Sequence, residues 1–129
     1  YADVVKAVLA ETCTRAAQLV DRGVPRDGIL IDPTHDFGKN TWHGHELLRR
    51  ARELTASGWP VLMALSNKDF IGETLAVGID DRHEGTLAAT VVAAHAGVAV
   101  FRAHDVAGTA AALDTLAAIR DAGGMPLRD

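Results

Sequence analysis

Apolar residues recur along this chain in two patterns, one with the period of a helix and one in short continuous runs. The helical pattern predicts helices over residues 3–22, 42–57, 71–75 and 84–96, and a last helix capped by Thr109 and closed by Gly123-Gly124. The apolar runs predict strands over residues 28–32, 61–65 and 98–101. Helices and strands therefore alternate, which is typical of a parallel sheet covered by helices.

Each predicted strand runs directly into charged residues. The three ends carry, in chain order, Asp32, then Lys68 after Ser66-Asn67, then Arg102 and His104. Side chains alternate across a strand, so each of these residues continues one face of its strand. If the strands are parallel neighbours, we expect the apolar residues of those faces to form one core and the polar ends to meet at one rim. A carboxylate, an ammonium, a guanidinium and an imidazole at that rim predict a ligand site.

Two α/β architectures use this order of elements, the open doubly wound sheet and the eight-fold barrel. No glycine-rich dinucleotide fingerprint follows any predicted strand, and no phosphate-binding P-loop is present, which weakens the case for a Rossmann domain. The periodicity alone leaves both architectures open. Residues 1–129 are interpreted as a single domain.

Composition narrows the class of protein. Nearly half of the residues are apolar, the formal net charge is −4, and no apolar run reaches the ~18 residues of a membrane helix. The absence of a basic stripe argues against a nucleic-acid partner. Cys13 is the single cysteine and is interpreted as a small buried residue, so a cytoplasmic protein is expected. The first residue is Tyr1 rather than Met, which suggests a piece of something longer.

Four segments carry a family resemblance. Residues 32–39 read Asp-Pro-Thr-His-Asp-Phe-Gly-Lys and resemble the Asp-Pro-Gly-x-Gly-Phe-Gly-Lys loop of dihydropteroate synthase. Residues 66–72, Ser-Asn-Lys-Asp-Phe-Ile-Gly, resemble its Ser-Arg-Lys-Ser-Phe-x-Gly segment. Residues 82–89 are similar to its Arg-x-x-Gly-Thr-x-Ala helix start, and residues 101–106 resemble its Arg-Val-His-Asp-Val strand end. Four motifs in the right order make the resemblance specific.

The resemblance implies the C-terminal part of a (β/α)8 TIM barrel, with strands six to eight, about three parallel strands and four to five helices, and the N-terminal half absent. That family condenses 6-hydroxymethyl-7,8-dihydropterin pyrophosphate with p-aminobenzoate in folate synthesis. The resemblance also implies Mg²⁺, with ligands outside this half, and a homodimer built from the last helices. A half-barrel alone is expected to be inactive.

The same resemblance implies a role for each residue at the rim. Asp32 corresponds to the carboxylate that binds the amino and N–H edge of the pterin. Lys68 corresponds to the lysine that reaches the pterin carbonyl, and Phe37 to an aromatic wall of the aminobenzoate pocket. Arg102 and His104 resemble the pair that holds the pyrophosphate. Lys68, Arg102 and His104 are therefore the expected catalytic residues.

Four positions depart from the family pattern. Thr34 and Asp36 replace glycines, Asn67 replaces an arginine, and Asp69 replaces a serine near the aminobenzoate carboxylate. If Asp69 is ionised and points inward, about 5 Å from that carboxylate, it costs roughly 3 kcal/mol at an effective dielectric near 20, or about a hundredfold in affinity. These departures resemble the divergent second dihydropteroate-synthase-like paralogue of actinobacteria. The alternative to an enzyme is therefore an inactive paralogue that acts as a pterin-binding or interaction protein.

Structural readings of the same residues stay open. Asp32 could cap the loop after its strand, Phe37 could pack within that loop, and Lys68 could pair with Asp69 or Asp36. Arg102 and His104 could form salt bridges with Asp105 or Glu84. A zinc site at His35, His43 and His45 is disfavoured because residues two apart point to different sides of a helix. Trp42 and Trp59 are interpreted as packing residues. Another pteridine-binding barrel, such as a methyltetrahydrofolate-handling protein, is a further alternative that the Ser-x-Lys-x-Phe segment disfavours.

Overall fold

A computed structural model describes residues 1–122, in which helices alternate with very short parallel strands. The elements are α1 (Val4–Asp21), α2 (Thr41–Arg49), α3 (Ala51–Thr55), β1 (Leu62–Met63), α4 (Asp69–Leu75), α5 (His83–His95), β2 (Val100–Phe101) and α6 (Val106–Asp121). Short 3₁₀ turns span Arg26–Gly28 and Ile79–Asp81. No helix in this part of the chain is both long and apolar enough to cross a membrane.

The sheet is parallel and follows chain order. β1 pairs with β2 in the register Leu62 with Val100, and the first predicted strand contributes a single bridge, Ile31 to Val61. A full strand over residues 28–32 is therefore wrong. The physical reason lies in the preceding 3₁₀ turn. There the N–H groups of Gly28 and Ile29 donate to the carbonyls of Pro25 and Arg26, so they cannot form hydrogen bonds with a neighbouring strand.

The hydrophobic core lies on the helix side of the sheet. Ile31, Met63 and Leu65 are at most 4% exposed and pack in one cluster with residues of the surrounding helices. On the other face, Leu30 is 45% and Val100 is 37% exposed. The expectation that the faces leading to the polar ends form the core is thus wrong for Leu30 and Val100, whereas Ala64, on the face that leads to Lys68, is buried. Helices on one face of a parallel sheet are the arrangement of a barrel wall, whereas a doubly wound sheet is covered on both faces.

Side-chain caps fix where the helices begin. Asp3 caps α1 by accepting from the N–H of Lys6 at 3.0 Å, in agreement with the predicted start. Asn40 and His43 cap α2 reciprocally, so the helix begins one residue before Trp42. Thr109 is not the cap of α6: Asp105 accepts from the N–H of Gly108 at 2.9 Å. The predicted closure at Gly123-Gly124 lies outside the described residues.

One predicted helix is divided in two. The segment 42–57 is broken at Arg50, whose φ of −108° and ψ of 22° depart from helical geometry, so α2 and α3 are separate. Arg50 itself is held by the carboxylates of Asp3, Glu46 and Glu53. As a result the described residues contain six α-helices instead of four to five.

The two tryptophans behave differently from each other. Trp59 is 7% exposed, and the guanidinium of Arg26 lies 3.7 Å from the centre of its ring, so it is a packing residue as expected. Trp42 is 78% exposed on α2, and the expectation that it packs in the interior is wrong. Its ring contacts the His45 ring of the same helix edge-on, with 6.2 Å between the two centres.

Candidate functional site

The polar strand ends meet at the carboxyl edge of the sheet, as alternation predicts. A small cavity of about 30 Å³ has Ala64 in its wall and is lined by Asp32, Phe37, Lys68 and Arg102. These residues come from three separate strand ends and the loop after the first. The structure therefore brings together the residues expected to bind the pterin edge and carbonyl.

A large cavity of about 340 Å³ adjoins the small one and shares Lys68 and Arg102 with it. It is also lined by Asp69, Arg82 and His104. The five residues expected to contact substrate, together with Asp69 next to the aminobenzoate pocket, therefore line one or both of these neighbouring cavities. The backbone N–H of His104 donates to the hydroxyl of Ser66 at 3.1 Å, which ties the second and third strand ends together.

Asp32 has a structural contact in addition to its place in the small cavity. One of its carboxylate oxygens accepts a hydrogen bond from the N–H of Thr34 at 2.8 Å. This is the turn in which an aspartate side chain fixes the backbone two residues on. Within residues 1–122 no donor is bonded to the second oxygen, so one side of the carboxylate stays available to a ligand.

The loop from Asp32 to Lys39 is stabilised by hydrogen bonds between its own residues. The ammonium of Lys39 donates to the backbone carbonyls of Thr34 and Phe37, each at 3.0 Å. Partial burial lowers the pKa of Lys39. Thr34 has φ of +50°, a left-handed conformation that is strained for a β-branched residue. Phe37 is 74% exposed at the tip of the loop, so packing against the loop does not bury it.

Asp36 neutralises Lys68. The Lys68 ammonium donates to the Asp36 carboxylate, and the two side chains are 17% and 36% exposed. The structure thus contains the ion pair that the sequence left open as an alternative. A ligand group that needs Lys68 has to compete with Asp36.

Asp69 neutralises Arg82 in the same way. The carboxylate of Asp69 lies 2.8 Å from Nη1 of Arg82, which also donates to the carbonyl of Asn67 at 2.8 Å. The side chain of Asp69 is 83% exposed, so the condition of an inward carboxylate on which the sequence estimate depends is not met, and solvent reduces the repulsion well below that value.

Asn67 occupies a strained backbone position that neighbouring residues stabilise. Its φ is +54°, and its N–H donates to the hydroxyl of buried Thr86 at 3.0 Å. Asparagine tolerates this left-handed region better than most residues. The hydroxyl of Thr86 donates in turn to the carbonyl of Arg82 at 2.9 Å.

Sequence reasoning assigned no role to several residues that build this site. They are Lys39, Ser66, Arg82 and Thr86. Arg82 and Thr86 both lie in the Arg-x-x-Gly-Thr motif, so a signal was present. What the motif could not show is that both residues hold the Asn67 backbone.

Arg102 and His104 remain without an acidic partner within residues 1–122. The structural alternative for them was a salt bridge to Asp105 or Glu84. Asp105 instead caps α6 and lies 3.5 Å from Nε2 of His83. Arg102 therefore lines both cavities as a cation that has no ion-pair partner among the described residues.

His35 is a buried group next to the site. It is 5% exposed, its ring centre lies 5.8 Å from that of Phe70, and neither ring nitrogen has a hydrogen-bond partner in the described residues. Burial, reinforced by the charges of Lys39 and Lys68, lowers the pKa of His35 to about 4 despite the opposing charge of Asp36. At neutral pH the ring is uncharged.

Metal ligands do not come together in the described part of the chain. His43 caps α2, and His45 bonds to Thr74 at 2.7 Å, so neither joins His35. No group of three His, Cys, Asp or Glu side chains able to hold a metal is found among residues 1–122. The described residues do not form a Mg²⁺ site by themselves.

Parallel strands with helices on one face and polar residues at their carboxyl ends define a barrel-type α/β protein, in which that rim is the candidate ligand site. The sequence profile described as pterin binding enzyme matches residues 1–104. The chain therefore belongs to the pterin-binding enzyme family, and the predicted family resemblance is confirmed.

Individual relatives support the same assignment. The chain is 56% identical over 117 residues to a Mycobacterium leprae protein named inactive dihydropteroate synthase 2, and 36% identical over 113 residues to dihydropteroate synthase of Escherichia coli. These matches cover 91% and 88% of this chain but 40% of each relative. The chain thus spans about 40% of the length of these curated relatives.

Solved structures confirm the fold class. Dihydropteroate synthase from Xanthomonas albilineans, in complex with 7,8-dihydropteroate, superposes with a TM-score of 0.91 at 35% identity, over 98% of this chain and 49% of that one. The Coxiella burnetii enzyme in complex with pteroic acid gives 0.87 at 31% identity, over 92% and 44%. The α/β architecture is therefore part of a TIM barrel, as expected.

Proposed function

We propose that the protein containing this chain binds a pterin diphosphate, with Asp32, Lys68, Arg102 and His104 as its contacts. The observation that carries the proposal is the convergence of Asp32, Lys68 and Arg102 on one cavity from three strand ends. Two solved relatives hold pteroic acid or 7,8-dihydropteroate, which contain a pterin ring.

The chemistry of each group suits this ligand. The free oxygen of Asp32 accepts hydrogen bonds from the amino and N–H edge of the pterin, and Lys68 donates to its carbonyl. Arg102 offers positive charge to the diphosphate, and the ring of His104 offers a hydrogen-bond donor. In the condensation, the amine of p-aminobenzoate forms a C–N bond to the methylene carbon. The C–O bond to the diphosphate breaks, and the amine loses a proton.

We propose that this condensation is weak or absent, so that the protein acts mainly as a pterin-binding protein. The support is the pairing of Asp36 with Lys68 and of Asp69 with Arg82, which occupies two cations of the large cavity. The 56% identical relative from Mycobacterium leprae bears the name inactive, whereas the 36% identical one from Escherichia coli does not.

Calorimetric titration of the full-length protein with 6-hydroxymethyl-7,8-dihydropterin pyrophosphate, and then with p-aminobenzoate, tests both parts. We expect the pterin to bind, and Asp32→Asn to weaken it at least tenfold, while the control Asp27→Asn on the 3₁₀ turn away from the rim has no effect. Absence of binding at millimolar pterin would contradict the proposal. Paired Asn67→Arg and Asp69→Ser should raise turnover if those positions limit the reaction.

We also propose a cytoplasmic homodimer that uses the last helix. The support is that α6 leaves Val106 and Ile119 each 69% exposed. Sedimentation of the full-length protein should show a dimer that Ile119→Asp dissociates. The family resemblance also implies Mg²⁺, with ligands outside the described residues. If the full-length protein has residual turnover, removal of Mg²⁺ by a chelator should lower it.

A further inference from the structure

The turn between β1 and α4 contains a strained residue on which the position of Lys68 depends. Asn67 has φ of +54°, and Lys68 follows it directly as the N-cap of α4. Rotation of Asn67 to the φ of about −60° that ordinary residues prefer would turn the following backbone by roughly 115°. Lys68 would then leave Asp36 and both cavities that it lines. Whatever holds Asn67 therefore also holds Lys68.

The N-terminal turn of α5, with its cap Arg82, holds Asn67 on both sides. The N–H of Asn67 donates to the hydroxyl of Thr86 at 3.0 Å, and its carbonyl accepts from Nη1 of Arg82 at 2.8 Å. The two supporting residues are joined to each other, because the Thr86 hydroxyl donates to the Arg82 carbonyl at 2.9 Å. Thr86 is 6% exposed and the Arg82 side chain 14%, so little solvent competes for these hydrogen bonds.

We propose that Thr86 and Arg82 are positioning residues for Lys68, which set its direction through the backbone of Asn67. This inference deepens the proposed function, and its ligand-binding part rests on that function. Arg82 also lines the large cavity, so a change there would alter contacts with a ligand as well. Thr86 lines neither of the two cavities that contain Lys68 and is therefore the residue that tests the mechanism.

Thr86→Val is the decisive variant, because it keeps the shape of the side chain and removes the hydroxyl that accepts from Asn67. Thr86→Ser keeps that hydroxyl and should behave like the natural protein. Thr90→Val is the matched control. Thr90 lies one turn further along α5, is 3% exposed, and donates its hydroxyl to the Thr86 carbonyl. The control therefore removes an equally buried hydroxyl that is not bonded to Asn67.

The first measurement needs no pterin. The full-length protein is treated with acetic anhydride, and peptide mass spectrometry gives the acetylation rate at Lys68 relative to Lys6, whose side chain is 78% exposed. Burial and the ion pair with Asp36 slow the reaction at Lys68. Thr86→Val should raise the relative rate about fivefold, the effect of one lost hydrogen bond. Thr86→Ser and Thr90→Val should leave it unchanged.

The second measurement is calorimetric titration of the full-length protein with 6-hydroxymethyl-7,8-dihydropterin pyrophosphate. Thr86→Val should weaken binding about fivefold. Addition of Asn67→Gly to this variant should restore most of the affinity and the slow acetylation of Lys68, because glycine adopts φ of +54° without support from a side chain. A variant that merely destabilised the fold would not be rescued in this way, since glycine itself lowers stability through its conformational freedom.

Each outcome bears on one proposal. Unchanged acetylation of Lys68 in Thr86→Val, or an equal rise in Thr90→Val, would overturn the positioning role. A loss that Asn67→Gly does not restore would overturn the mechanism through the Asn67 backbone. If the natural protein does not bind the pterin but the acetylation rates follow the expected order, the proposed function falls and the positioning role stands. If Lys68 becomes reactive while pterin affinity is unchanged, Lys68 is not a pterin contact and the positioning role again stands.

Discussion

The Lys68 ammonium and the Asp36 carboxylate form an ion pair across 32 positions of the chain. It joins the loop after the first strand end to the end of the second. Because both residues line the two cavities, the pair lies where a ligand would contact Lys68. In the absence of ligand, the ammonium of Lys68 is therefore already bound by the Asp36 carboxylate.

We expect Asp36→Asn to increase the affinity for pterin diphosphate about two- to fivefold. The ion pair is partly exposed, and such pairs contribute about 0.2–1 kcal/mol, which a ligand no longer has to overcome. Calorimetric titration of the natural protein and the variant measures the change. Asp27→Asn is the control, and a weaker affinity in Asp36→Asn would show that the carboxylate helps to position Lys68.

The buried ring of His35 predicts a pH-dependent stability. Its pKa is about 4 in the folded state and about 6.5 in the unfolded chain, so below pH 6.5 the unfolded state binds the proton preferentially. The destabilisation that this protonation causes is absent well above pH 6.5 and grows as the pH falls towards 4. Between pH 6.5 and 4.5 this single group should lower the free energy of unfolding by about 2 kcal/mol.

His35→Phe should remove that contribution and raise stability at pH 7.5 by about 1–3 kcal/mol, because two buried nitrogens without partners are replaced by carbon. Denaturant titrations at pH 7.5 and 4.5 measure both effects. The control is His95→Gln at an exposed position on α5, which should keep the full pH dependence. An unchanged pH dependence in His35→Phe would show that the ring is solvated in solution.

The left-handed backbone at Thr34 predicts a stabilising substitution. Thr34→Asn should raise the free energy of unfolding by about 0.5–1 kcal/mol, since asparagine adopts φ of +50° with less strain than a β-branched residue. Thr34→Val keeps the branch and removes the hydroxyl that accepts from Lys39, so it should not stabilise. Thermal unfolding of the three proteins compares them, and a gain with Val would contradict the argument from backbone strain.

The close contact between Gly72 and Arg82 predicts a destabilising substitution. Gly72→Ala should lower the free energy of unfolding by about 1–2 kcal/mol, because the new Cβ displaces the guanidinium from Asp69 and the carbonyl of Asn67. Denaturant unfolding measures the loss. Gly78→Ala is the matched control, since nothing lies within 4 Å of its Cβ and its φ is −69°.

A double-mutant cycle adds a check on this mechanism. If Gly72→Ala acts through Arg82, its effect should shrink by at least half when Arg82 is already replaced by alanine. Equal losses in the two backgrounds would mean that the alanine disturbs the packing of α4 itself.

The position of the site was predictable because it depends on local rules. Alternation along a strand and parallel pairing are enough to bring Asp32, Lys68 and Arg102 to one edge. The family motifs added the fold class, which periodicity left open. In contrast, strand length depends on which N–H groups are free, and the 3₁₀ turn before Ile31 uses two of them.

The ion pairs and the helix caps were harder to predict. The pairing of Asp36 with Lys68 and of Asp69 with Arg82 depends on side-chain directions that a single sequence does not give. Both Asp105 and Thr109 are suitable caps by residue type, and only the backbone shows that α6 begins after Asp105. Likewise, the exposure of Asp69 decides the strength of its repulsion, and burial is a property of the folded chain.

The conformation at Thr34 also bears on how this chain diverged. The related family has glycine at this position and at Asp36, yet the loop is closed here by the side chains of Asp32 and Lys39, which the family motif shares. The hydrogen bonds made by the Asp32 carboxylate and the Lys39 ammonium thus close the loop without glycine at either position. Exchange of Thr34 and Asp36 for glycine would leave both closing residues in place.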